Sequence, residues 1–123
     1  MAYIVSVELR ATASKYWAYM EFEDRCGKRH TANVEKEHNG TANGNALQAA
    51  IEAVRILKTP CVLDIHTDNE YLAHSITNGW VANWEKNGWK NAKGVTVPHK
   101  DQWQELTKLL SAHSRRFTVA KHN

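Results

Sequence analysis

The apolar run Cys61-Val62-Leu63-Asp64-Ile65 constrains the fold of this chain more than any other stretch. Its length and composition predict a buried strand over Cys61–Thr67. A helical pattern precedes it, with apolar residues spaced three and four apart over residues 46–57, and Pro60 ends that helix. A strand, a helix and a second strand in this order imply a right-handed parallel crossover. The sequence therefore predicts an α/β protein.

Three further strands are predicted before that helix, over residues 2–9, 16–23 and 28–35. Their alternating apolar and polar residues fit half-buried strands. Residues 24–27 form a predicted hairpin turn, in which Gly27 can adopt a positive φ. Strands joined by such short links predict an antiparallel meander.

The remaining elements are short. A loop rich in Asn and Gly spans residues 37–45, and Asn43 is a plausible cap for the helix that starts at Ala46. Asp68 can cap a helix over residues 69–76, followed by helices over 78–86 and 101–112 and a last strand over 116–120. The predicted order is β-β-β-α-β-α-α-α-β.

Length and composition narrow the possible classes of protein. With 123 residues we expect a single domain over residues 1–123. Two cysteines are too few for a disulfide framework, and we expect a reducing, cytoplasmic setting. The chain start carries no basic segment typical of a signal peptide, and no apolar run is long enough to span a membrane. The net charge of +3 favours polyanionic partners only mildly.

Two carboxylates are candidates for chemistry. Asp68 follows a central parallel strand, which is where open α/β sheets place their sites, although it could equally serve as a helix cap. Glu8 ends the first predicted strand. If the first and fourth strands are neighbours, Glu8 and Asp68 could share Mg²⁺ or Mn²⁺. Glu8 taken alone is more simply an exposed acid at a strand end.

A segment dense in tryptophan and lysine follows, with Trp80, Trp84 and Trp89 interleaved with Lys86 and Lys90. The two tryptophans four residues apart would share one helix face, which favours packing over ligand contact. The lysines form either a solvated face or a ridge that follows phosphates.

The loop before the first helix carries further polar groups. Thr41, Asn43 and Asn45 could contact a phosphate backbone, or they could simply form turns. The seven histidines lack the spacing of metal ligands, and His122 is the only one of functional interest.

Several of these runs together resemble a known family. They are Thr67-Asp68-Asn69-Glu70-Tyr71-Leu72, Ile76-Thr77-Asn78-Gly79-Trp80, Asn83-Trp84, Gly88-Trp89-Lys90, Val97 and Asp101-Gln102-Trp103. The chain closely resembles bacterial type 1 ribonuclease H over residues 64–121, and more weakly from Thr41. The resemblance implies the ribonuclease H-like fold, a five-stranded mixed sheet flanked by helices.

The resemblance also implies a function. The family cuts the RNA strand of RNA/DNA hybrids as a hydrolase, with two divalent ions, such as magnesium, held by four carboxylates. The tryptophan- and lysine-rich segment would be the basic protrusion that holds the DNA strand. Thr41 would match a residue that binds a DNA phosphate, Asn43 a residue in the minor groove, and Trp80 an aromatic that contacts DNA.

The carboxylates depart from the family pattern. Glu8 stands where the first acid is expected, Ala46 replaces the second, and Asp68 retains the third. The fourth acid lies on a helix beyond the end of the chain given, and His122 only approximates a histidine before it. Glu70, a second copy of the chain or another partner chain could supply a missing ligand.

Two functional hypotheses follow, with a third behind them. The chain is either a hybrid-binding endonuclease with weak or divergent activity, or a catalytically inactive nucleic-acid-binding module that keeps the basic platform. The third hypothesis is an assembly domain that kept only the fold. Cleavage and binding of an RNA/DNA hybrid discriminate among them.

Overall fold

One five-stranded mixed sheet organises the computed structural model, which describes residues 3–119. The strands are β1 (Tyr3–Ala11), β2 (Lys15–Glu23), β3 (Arg29–Glu37), β4 (Cys61–Thr67) and β5 (Ser114–Val119). The helices are α1 (Ala42–Ile56), α2 (Glu70–Thr77), α3 (Trp80–Lys86) and α4 (Lys100–Leu110). The sheet order is β3-β2-β1-β4-β5.

The strand pairing confirms both topological predictions. β1, β2 and β3 form an antiparallel meander, and β4 pairs in parallel with β1 on one side and β5 on the other. The predicted turn between β2 and β3 is present, with Gly27 at φ 82° and Asp24 accepting its N–H at 3.0 Å. Leu9 lies opposite Thr67, so the carboxyl ends of β1 and β4 meet at one edge.

The core lies between one face of the sheet and α1. β1 contributes Val5, Val7 and Leu9, all about 1% exposed, while its alternate residues face away. Four of the eight buried residues of α1 are alanines: Ala46, Ala49, Ala50 and Ala53. Small side chains let the helix lie close to the sheet, and each fully buried Leu or Val contributes roughly 1.5–3 kcal/mol.

Several predicted element ends were wrong, each for a local reason. β1 continues to Ala11, because the turn that follows is tight, with Thr12 donating to the Lys15 carbonyl at 2.8 Å. Glu8 is therefore inside the strand and not at its end. α1 begins at Ala42, four residues earlier than predicted, because Thr41 accepts the N–H of Gly44 and caps it in place of Asn43.

The prediction that Asp68 caps α2 was also wrong. Asn69, not Asp68, caps this helix, and its side-chain oxygen accepts the N–H of Leu72 at 2.8 Å. β5 begins at Ser114, two residues before its predicted start, while the predicted end at residue 120 lies outside the described residues. None of the described helices combines the length and apolar character needed to cross a membrane.

Candidate nucleic-acid and carboxylate site

Asp68 lies at the edge where β1 and β4 end, as the sequence predicts. Its N–H donates to the Leu9 carbonyl at 3.4 Å, and its Oδ1 accepts the N–H of Ala11 at 3.3 Å. The residue is half-buried. Because Asn69 caps α2, the Asp68 carboxylate is not used to start that helix. It is fixed beside the end of β1.

Glu8 is not the partner of Asp68 in the sheet. It lies opposite His66, and its carboxylate accepts from the Arg10 guanidinium at 2.6 Å. Continuing the register by one residue past the pair Leu9 and Thr67 sets Arg10 beside Asp68. An arginine therefore takes the β1 position that this register sets opposite Asp68, while the Asp68 carboxylate itself accepts from the next residue, Ala11.

The residues do not fit a two-metal centre. Ala46 is about 1% exposed and offers no ligand atom. Between residues 3 and 119, no three His, Cys, Asp or Glu side chains lie close enough together to hold an ion. Glu8 is paired with Arg10, so its carboxylate is already engaged by a cation two residues away on the same strand. Two-metal hydrolysis needs several anionic ligands held together.

Asn45 is a structural residue and not a phosphate ligand, so that sequence hypothesis was wrong. It is about 1% exposed, and its Nδ2 donates to the carbonyls of Thr12 at 2.8 Å and His38 at 2.9 Å. Its Oδ1 lies 2.9 Å from His38 Nδ1, which must therefore carry the proton of this bond. Asn45 thus joins the β1–β2 turn to the segment before α1.

A groove of about 520 Å³ lies beside the start of α1, and sequence reasoning missed several of its residues. Its polar lining includes Lys36, His38, Thr41, His99 and Gln102. Gln102 donates to the Gly44 carbonyl at 3.0 Å, which holds the start of α4 against the start of α1. These residues are dispersed in sequence, so no local motif signals them.

The three tryptophans of the basic segment have different environments. Trp80 is 43% exposed, so the packing hypothesis was wrong for it. Trp84 is partly buried, and its ring meets that of Trp103 edge-on at 5.9 Å, so the packing hypothesis was right there. Trp89 is also partly buried, and it turns the chain with φ 64°.

The lysines of this segment lie outside that packed layer. Trp89 donates its N–H to the Trp84 carbonyl at 2.7 Å, and Lys90 pairs with Thr96 as an isolated antiparallel bridge. Lys86 and Lys90 are exposed. Buried Trp103 anchors the layer, since its Nε1 donates to the Tyr71 hydroxyl at 3.0 Å. The arrangement is a basic surface over a layer of packed aromatic rings.

The fold is that of a ribonuclease H-like protein. LC9-RNase H1, a type 1 RNase H with the type 2 active-site motif, matches with a TM-score of 0.84 and 21% identity, over 100% of this chain and 65% of its own. LC11-RNase H1, solved in complex with an RNA/DNA hybrid, matches with a TM-score of 0.59 and 13% identity, over 98% of this chain and 86% of its own.

The sequence settles the family. Residues 6–122 match the sequence model of the RNase H family. Ribonuclease H of Chlorobium chlorochromatii is 44% identical over 81 residues, which are 66% of this chain and 56% of that protein. The chain belongs to the RNase H family, as a bacterial type 1 member. It spans about half to two thirds of the length of such curated relatives.

Proposed function

We propose that this protein binds RNA/DNA hybrids through two surfaces, the start of α1 and the basic segment around α3. The observation that carries the proposal is the contrast among the tryptophans. Trp84 and Trp89 pack inward, while Trp80 stays 43% exposed in a segment that also carries the exposed Lys86 and Lys90. An exposed aromatic ring in a segment with exposed cations suits a nucleic acid, because bases stack on the ring and phosphates attract the cations.

Thr41 and the lysines would supply the phosphate contacts. Thr41 Oγ1 accepts the N–H of Gly44, so its hydroxyl hydrogen is left to donate to a phosphate oxygen. Lys86 and Lys90 are exposed, and neither forms an ion pair within the described residues. Cations of this kind release counterions from the nucleic acid when they bind, which favours association.

Binding is a better-supported function than cleavage. The family generally depends on divalent metal, and Mg²⁺ or Mn²⁺ would be expected of an active member. Here Asp68 has Arg10 beside it in the register, and Ala46 carries no carboxylate. We therefore derive no hydrolytic step from these residues. A binding module in a reducing, cytoplasmic setting is our proposal, and an endonuclease is the alternative.

The deciding experiment is one assay on an end-labelled RNA/DNA hybrid, with Mg²⁺ and with Mn²⁺, that reads binding and cleavage on the same samples. We expect the wild type and Asp68→Asn to bind equally and neither to cut. Cleavage by the wild type that Asp68→Asn abolishes would replace the binding-module proposal with an enzyme. Its missing ligands would then come from outside residues 3–119, including a second copy of the chain. If the wild type does not bind the hybrid, both proposals fail and only the third hypothesis remains, a domain that kept the fold alone.

A further inference from the structure

We propose that Asn69 is a positioning residue, which orients the carboxamide of Asn43 so that its N–H groups face the nucleic acid. The inference rests on the proposed hybrid binding and specifies how one residue of that surface recognises its ligand. It concerns two side chains 26 positions apart in sequence, on the starts of α1 and α2.

The orientation of Asn69 is determined by a backbone group. The N–H of Leu72 donates to Asn69 Oδ1 at 2.8 Å, and a backbone N–H can only donate. The other side of the carboxamide, Nδ2, must then be a donor. It lies 3.0 Å from Asn43 Oδ1, so Asn43 has to present its oxygen to Asn69. Rotating the Asn43 amide would place two NH₂ groups against each other.

This arrangement determines what Asn43 can bind. Its Oδ1 accepts from Asn69, which directs Nδ2 with its two N–H donors to the other side of a partly exposed side chain. A ligand that meets Nδ2 must therefore offer acceptors. The minor groove of a duplex presents purine N3 and pyrimidine O2 as acceptors on its floor. A free Asn side chain could present either end of its carboxamide, whereas this one is held with Nδ2 turned away from Asn69.

Asn69 also connects this contact to the carboxylate. Its backbone N–H donates to Thr67 Oγ1 at 3.1 Å, which holds the turn that carries Asp68. The Asp68 carboxylate in turn accepts from Ala11 on β1. One residue therefore supports both the proposed minor-groove contact and the turn at the end of β4.

The two roles of Asn69, capping α2 and orienting the Asn43 carboxamide, can be tested separately. Asn69→Ser keeps an oxygen that can cap α2, because Ser caps about as well as Asn, but it removes the Nδ2 donor. We expect only a small loss of thermal stability, since the cap is kept and the lost bond joins partly exposed side chains, and about a five- to tenfold loss of hybrid affinity, as for one hydrogen bond. Asn43→Ala should lose hybrid affinity by the same factor. The variant that combines Asn69→Ser with Asn43→Ala should lose no more affinity than either change alone. Asn33→Ser, an exposed Asn on β3, is the matched control and should bind normally.

A modified hybrid identifies the acceptor. Replacing adenines by 3-deazaadenine removes N3 from the minor groove. Wild-type affinity should fall with this hybrid, while Asn69→Ser should not discriminate between the two hybrids. Equal discrimination by Asn69→Ser and the wild type would overturn the proposal, because Asn43 would then be oriented without Asn69.

Failure of the proposed function can be recognised separately. If the wild type binds no hybrid, the function fails, and the orientation is tested by the ¹H–¹⁵N signals of the Asn69 side chain. With Asn43 as its acceptor, Asn43→Ala should shift the Asn69 NH₂ signals and speed their exchange with water, whereas Asn43→Asp should preserve the slow exchange. Unchanged Asn69 signals in Asn43→Ala would overturn the orientation itself.

Discussion

The backbone N–H of Cys61 donates to Nδ1 of His113 at 2.9 Å, which joins the start of β4 to the segment between α4 and β5. This bond requires His113 to be unprotonated at Nδ1. Burial, and secondarily the charge of Arg115, lowers the pKa of His113 below its ordinary value. Lys108 lines the groove beside His113, where Glu105 is paired with Arg55.

This bond predicts a pH dependence of stability. The unfolded chain binds a proton at His113 more readily than the folded one, so stability is full above the ordinary pKa of about 6.5 and falls as the pH drops below it. We expect the wild type to lose on the order of 1 kcal/mol more than His113→Gln between about pH 7.5 and about pH 5.5. Urea unfolding at both pH values measures this, and parallel pH profiles of the two proteins would contradict it.

Tyr16 should titrate at unusually high pH. Burial, together with its hydrogen bond to the Glu52 carboxylate, raises the pKa of Tyr16 to about 12. Because the folded state holds this proton more tightly, its contribution to stability is complete below the ordinary pKa of about 10 and is lost as the pH rises through the folded value. The phenolate absorbance of the wild type minus that of Tyr16→Phe should have its midpoint near this higher value. A midpoint near the ordinary value would contradict both the burial of the Tyr16 hydroxyl and its bond to Glu52.

We expect Thr41 both to cap α1 and to contact the hybrid. Thr41→Val removes the oxygen that caps α1, and loss of a cap costs about 1 kcal/mol, or a few degrees in Tm. Thr41→Ser keeps the oxygen and should retain both stability and hybrid affinity. Calorimetry and fluorescence anisotropy on the two variants measure the two effects. Normal hybrid affinity in Thr41→Val would remove Thr41 from the binding surface.

Lys86 and Lys90 should set the salt dependence of binding. Lys86→Ala with Lys90→Ala should weaken hybrid binding and reduce the slope of log affinity against log salt by about 2, since each phosphate contact contributes about 0.9. Lys58→Ala with Lys108→Ala makes the same change of charge at exposed positions elsewhere and serves as the control. If both pairs change the slope equally, only net charge matters and the segment has no specific role.

Sequence reasoning succeeded where local patterns determine structure. The β1–β2–β3 meander, a parallel β4 after α1 and the turn at Gly27 were predicted correctly, and the pairing of β1 with β4, which the sequence left as a condition, is present. Alternation, helical spacing and glycine report directly on burial and backbone angles, which are properties of neighbouring residues. The position of Asp68 at the edge of the sheet followed from the topology alone.

The predictions that failed depended on choices among equivalent local candidates. Thr41 and Asn43 are both competent caps, as are Asp68 and Asn69, and in each pair the structure uses the residue that the sequence did not favour. Trp80 and Trp84 are four residues apart, yet only Trp84 reaches the ring of Trp103. Propensity does not distinguish such candidates, because their free energies differ by less than the contacts made with distant elements.

The sequence by itself determined the fold class, the family and the absence of an acid at Ala46, since these depend on residue identity and spacing. Only the tertiary structure decided how the polar groups are used. Packing set Arg10 beside Asp68, buried Asn45, and turned the oxygen of Asn43 toward Asn69. These contacts join strands and helices far apart along the chain. Directional hydrogen bonds form between whichever groups the packed elements bring together.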